Sequence, residues 1–143
     1  MLLYHFGTKE ALLRAVLQRA RSRQRQDFEA LLRVRPDEDH LTTLGRAWAG
    51  MTGRGGRRYL SMSGRLREDA EQQLWPGFRR EATTDRLPPL EDGLRTLGRP
   101  ELATLVLAVI RGLIMDLDAT GDTDRVDHAF ADLLTSLRDP RSA

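Results

Sequence analysis

The sequence predicts an all-α protein, a bundle of dissimilar helices. Three observations carry that prediction: period-two alternation is missing, valine and isoleucine are few, and the Gly/Pro punctuation separates segments of helical length. No repeat at a fixed period and no low-complexity segment is visible. With 143 residues, 40% of them hydrophobic, the chain has material for a single core and so for one domain of ordinary size.

The first helix is expected to begin at Thr8, whose hydroxyl can cap the amides that follow, with Glu10 in the first turn favoured by the helix dipole and Gly7 providing the turn before it. Leu12, Leu13, Val16, Leu17 and Ala20 form an apolar stripe, Gln18 to Asp27 is mostly polar, and Phe28, Leu31 and Leu32 resume the stripe before Pro36. Read as one helix of about 28 residues it spans roughly 42 Å, with apolar ends and a wet middle, as a connector between two packed bodies would have. A break near Ser22 is the competing reading. A second helix runs from Glu38 or Asp39 to Met51, with Leu41, Leu44, Ala47, Trp48 and Met51 at helical spacing. Gly53-Arg54-Gly55-Gly56 reads as a flexible loop, because no strand precedes it and no Gly-Lys-Ser/Thr follows, as a phosphate-binding loop would need.

From Arg57 a third helix reaches about Leu74, and Pro76-Gly77 marks a break. A short helix follows to about Thr84, then another starts at Pro88-Pro89, where a missing amide proton costs nothing in the first turn, and closes at Gly98-Arg99. Pro100 starts a helix that is apolar around almost its whole circumference and ends at Gly121. The last helix, capped at Asp122/Thr123, places Val126, Ala129, Phe130, Leu133, Leu134 and Leu137 on one stripe before Pro140. A helix apolar all round needs burial all round, and one small core covers only one side, so these two helices predict a homodimer seam of four helices. Leu102, Leu105, Val109, Leu113, Leu117, Phe130 and Leu134 are its expected residues.

Composition excludes several chemistries. The absence of cysteine rules out disulfides, thiolate metal sites and cysteine nucleophiles and suits a reducing cytoplasm. The longest apolar stretch, Leu105 to Ile110, stops at Arg111, short of the roughly 20 residues of a membrane span, and the N-terminus does not read as a secretory signal. Charge is uneven. Up to Arg35, eight basic residues face three acidic ones, a net of +5, which leaves −3 for the remainder of a chain of net charge +2. A basic leading third suits an end that approaches phosphates, but from charge alone a solvated helix face is the preferred reading. His5, His40 and His128 are scattered, no paired-carboxylate, His-Glu-x-x-His or Ser-His-Asp arrangement appears, and no cofactor is implied, so an enzyme is not expected.

The segment Leu3-Tyr4-His5-Phe6-Gly7-Thr8-Lys9-Glu10-Ala11-Leu12 resembles the end of the helix-turn-helix in the tetracycline-repressor-like (TetR) family of bacterial transcription regulators. In that family a Tyr-x-His/Tyr-Phe sequence closes the recognition helix, and a small residue, Ser or Thr, Lys and an acidic residue start the connector helix. The resemblance implies a remnant of the recognition helix at 1–7, a connector helix at 8–35, and a ligand-binding and dimerisation domain at 36–143. It implies that Tyr4, His5 and Lys9 occupy positions that touch DNA phosphates, with Phe6 packing the small domain against the connector. Only three residues precede Tyr4, so the base-reading helices are expected outside this chain, and double-stranded DNA is a partner only if they are present. The function implied is that of a cytoplasmic regulator, a repressor, whose C-terminal domain binds a small-molecule effector. The alternative is a helical dimerisation adaptor that never binds DNA.

In such a fold the middle helices enclose the effector pocket. Candidates from the residues themselves are bulky adaptable side chains and isolated polar groups on apolar faces: Trp48, Met51, Tyr59, Met62, Trp75, Phe78, Arg111 and Met115. Arg111, set in Val109-Ile110-Arg111-Gly112-Leu113, needs a carboxylate, a solvent channel or an anionic ligand. Asp116 or Asp118 across the dimer seam is the expected partner.

Overall fold

The computed structural model describes residues 7–57 and 76–138, and these form α1 (Lys9–Leu32), α2 (His40–Thr52), α3 (Phe78–Thr84), α4 (Leu87–Arg95), a 3-10 turn (Pro100–Leu102), α5 (Ala103–Thr120) and α6 (Thr123–Arg138). The described residues contain no strand, so the fold is all-α. No helix among them is long and apolar enough to cross a membrane.

Local chemistry sets most of the ends. The Thr8 hydroxyl oxygen accepts from the Ala11 amide at 3.1 Å, and Asp39 Oδ1 accepts from the Thr42 amide at 2.7 Å, each satisfying an amide that has no helical partner. Leu87-Pro88-Pro89 opens α4 with prolines in the first turn, where no amide is missed. Gly121 closes α5 in the left-handed conformation at φ 69°, and Asp122 Oδ1 accepts from the Arg125 amide at 3.2 Å to start α6. The polar middle of α1 does not break it: the helix runs unbroken past Ser22 and ends at Leu32, a little before Pro36. The Pro100 segment begins as a 3-10 turn and becomes α-helical only at Ala103.

One expectation is overturned. Residues 54–57 are helical rather than a loop, and the chain departs from α-helix only at Gly53. Gly56 serves close approach instead, since a Cβ there would collide with the carbonyl oxygens of Gly50 and Met51. The rest of the third expected helix lies outside the described residues.

The core is built where α2 packs between α1 and α6 and where α4 and α5 close on it. Leu44, Trp48, Leu90, Leu94, Val106, Ile110, Val126 and Phe130 form its centre, with Leu32 reaching in from the end of α1. Removing each such side chain from water contributes roughly 1.5–3 kcal/mol before the entropy of ordering is charged against it. A second, smaller cluster of Leu17, Phe78 and Ala82 ties the first half of α1 to α3.

α6 turns most of its apolar stripe inward: Val126, Phe130 and Leu137 are buried, and Leu133 and Leu134, half-buried, pack against the same core. α5 divides its circumference. Ala103, Val106, Leu107, Ile110 and Leu117 face in, whereas Leu105 is 54% and Met115 73% exposed. Helix α5 is therefore apolar all round without being buried all round in a single chain.

Candidate ligand cavity

Two helices present matching faces to one space. On α1, Gln24, Asp27, Phe28 and Leu31 follow the i, i+3, i+4, i+7 spacing that puts side chains on one side, and on α5 Leu107, Ile110, Arg111 and Ile114 do the same. These eight residues, with Gly50 and Met51 of α2, Gly56 and Arg86, line a cavity of about 220 Å³. Gly50 faces Leu31 of α1, where an added Cβ would stand in van der Waals contact, 3.4 Å from Leu31 Cδ2.

Among the described residues the walls are mostly hydrocarbon, and the polar groups are few. The Arg86 guanidinium lies over the Phe28 ring, its central carbon 5.6 Å from the ring centroid, a cation–π arrangement that holds the charge against the wall. Asp27 is exposed and Gln24 half-buried. Arg111 is half-buried, and its Nη1 donates to Thr83 Oγ1 at 3.2 Å. The Thr83 hydroxyl donates its own proton to the Arg79 carbonyl oxygen at 2.8 Å, so it meets Arg111 as an acceptor.

Next to the cavity, Arg21 clamps the helices around it. Its Nη1 donates to Glu81 Oε2 at 2.6 Å and its Nη2 to Asp85 Oδ2 at 2.5 Å, which binds the middle of α1 to α3 and to the residue that follows α3. The wet middle of α1 is thus partly a polar contact surface.

Comparison with family models, with curated proteins and with solved structures finds no match to this chain.

Of the residues expected to line a pocket, Met51 and Arg111 do so. Trp48 does not: it is buried in the core, stacked on Phe130 with ring centroids 4.6 Å apart, and its Nε1 donates to Asp127 Oδ1 at 2.7 Å. The polar edge of the indole is satisfied by α6, and nothing is left for a ligand. Phe78 is buried in the separate cluster with Leu17 and Ala82, and Met115 faces outward. Tyr59, Met62 and Trp75 lie outside the described residues, as do Tyr4, His5 and Phe6. Lys9 stands exposed at the first position of α1.

Within the chain, Arg111 pairs with neither Asp116 nor Asp118. Asp116 is taken by Arg125, whose Nη1 donates to Oδ2 at 2.7 Å and Nη2 to Oδ1 at 2.5 Å. Hydrogen bonding from Arg125 holds the Asp116 carboxyl below its ordinary range. Asp118 is exposed and makes no ion pair with Arg111 among the described residues. Of the expected interface residues, Leu117 and Phe130 are in the chain's own core, because the stripes of α5 and α6 meet each other first. Leu102, Val109, Leu113 and Leu134 are half-buried, and Leu105 is exposed.

The side chains that sequence reasoning missed are Gln24, Asp27 and Arg86, which it assigned to no pocket, and Phe28, Leu31, Leu107, Ile110 and Ile114, which it assigned to packing. Their spacing was visible.

Proposed function

We propose that this chain is the effector-binding and dimerising part of a bacterial transcription regulator, a repressor resembling the tetracycline-repressor family, in which a small molecule in the α1/α2/α5 cavity sets the position of α1. The observation that carries the reading is that the cavity shares its walls between α1 and the helical body. A molecule seated there acts on α1 directly. Lys9 lies about 22 Å along the helix from Gln24, so a tilt of about 5° at the cavity displaces the start of α1 by about 2 Å. The basic balance of α1 and the N-terminal resemblance support DNA phosphates as what that end approaches, through Tyr4, His5 and Lys9. The outward face of α5, with Leu105, Ala108, Gly112, Met115 and Ala119 along one side, supports a second copy as partner, since its small residues admit close helix approach. The reading assigns no catalytic step.

The test uses the absence of cysteine, which makes introduced thiols unique. Spin labels at Arg19→Cys and Asp132→Cys report the position of α1 against α6. Octan-1-ol is expected to raise the melting temperature and to change the interlabel distance, and Ile114→Trp, which fills the cavity, is expected to abolish both effects. An unchanged distance in protein saturated with octan-1-ol overturns the coupling of cavity to α1.

A further inference from the structure

We infer that the cavity selects a compact molecule with an apolar body and one anionic head, a carboxylate of about ten non-hydrogen atoms, bound through Arg111; this rests on the cavity being a ligand site. Size comes first. The 220 Å³ volume equals about seven waters at roughly 30 Å³ each and falls below the 300–1,000 Å³ of clefts for drug-sized ligands. Cofactors built on a nucleotide do not fit such a space.

Charge decides the head group. Among the described residues, three charged side chains line the cavity, Asp27, Arg86 and Arg111. Asp27 is exposed, at the water side, and Arg86 lies over Phe28. Among the described residues the lining therefore carries one more positive charge than negative. Arg111 presents five N–H donors in a planar fork, and among the described residues only Thr83 Oγ1 accepts from it. A guanidinium half removed from water beside Ile110 and Ile114, with a neutral hydroxyl as its protein acceptor, favours an anion whose two oxygens match the fork. A cationic ligand would meet two guanidinium groups. A neutral one would leave the donors of Arg111 unanswered while displacing the water that otherwise serves them. Thr83 fixes one edge of the fork, because its proton is committed to the Arg79 carbonyl oxygen, and this sets the orientation in which a carboxylate is met.

Calorimetric titration of the full chain with octanoate, octan-1-ol and octylammonium, which share one tail, tests the inference. Octanoate is expected to bind at least tenfold more tightly than octan-1-ol, a difference of about 1.4 kcal/mol, and octylammonium more weakly than either. Arg111→Gln is expected to bring octanoate and octan-1-ol within about twofold of each other, and Asp27→Asn, at an exposed position, to tighten octanoate alone. Should Arg111→Gln fail to fold, the ratio in the unaltered chain and the Asp27→Asn response decide the matter. Binding of octan-1-ol with no preference for octanoate overturns the anionic class and leaves the cavity as a neutral-ligand site. Failure of all three to bind overturns the ligand site itself.

Discussion

His40 begins α2 with its ring 1% exposed and both ring nitrogens without a hydrogen-bond partner. It packs flat on Gly93 of α4, where an added Cβ would fall inside the imidazole, so the glycine makes room for the ring. Burial pushes the His40 pKa below its ordinary 6.5, and the Asp39 carboxylate opposes that only in part. The neutral form is therefore the one that fits. Below pH 6.5 the unfolded chain binds a proton that the folded chain resists, so this contribution is fully present above about 6.5 and is lost as pH falls from there toward the folded value. The urea midpoint is expected to be lower at pH 5 than at pH 7.5, and His40→Leu to reduce that difference. Asp39 and Asp116 act in another window. Their carboxyl groups are held below the ordinary 3.8 by hydrogen bonds, so their contribution is present above that value and lost in stronger acid. Sequence reading marked Arg111 as a charge in apolar surroundings but not the emptiness of its environment. The acceptor that answers it, Thr83, lies 28 positions away and has no spacing to announce it.

At the scale of elements, the ends of the helices were the most legible feature. Thr8, Asp39, the paired prolines, Gly121 and Asp122 all act within a few residues of themselves, and the structure uses each of them. The Gly53–Gly56 segment misled for a reason of the same kind. A glycine in sequence signals either conformational freedom or lack of bulk, and here Gly56 is needed for lack of bulk. The Arg21 clamp gives the polar middle of α1 a tertiary partner in Glu81 and Asp85. Arg21→Ala removes the Glu81 and Asp85 contacts of a side chain that is 19% exposed. Glu81 and Asp85 remain near water, so the expected loss is about 1 kcal/mol and shrinks at high salt, as an ion pair near the surface should. Denaturant midpoints of the variant at low and high sodium chloride measure both.

For the whole molecule, the surplus of apolar surface in the last two helices narrows to one face of α5. α6 spends its stripe on Trp48 and the core, so a dimer of this chain would be centred on Leu105 and Met115 with Ala108 and Gly112 between them. Sedimentation is expected to show a dimer that Leu105→Glu dissociates with the helical circular dichroism unchanged. A stable, well-folded single copy at high concentration would remove that partner from the proposed function.

The sequence alone determined that the chain is helical, where most helices start and stop, and which stripe of each helix is apolar, because propensity, capping and a period of 3.6 act over a turn or two. Tertiary structure alone decided which stripe meets which. It put Trp48 against Phe130 rather than a ligand, gave Asp116 to Arg125, and opened a cavity between residues as far apart as Gln24 and Ile114. Periodicity names a face but carries no record of its partner; that choice belongs to close packing among residues distant in the chain.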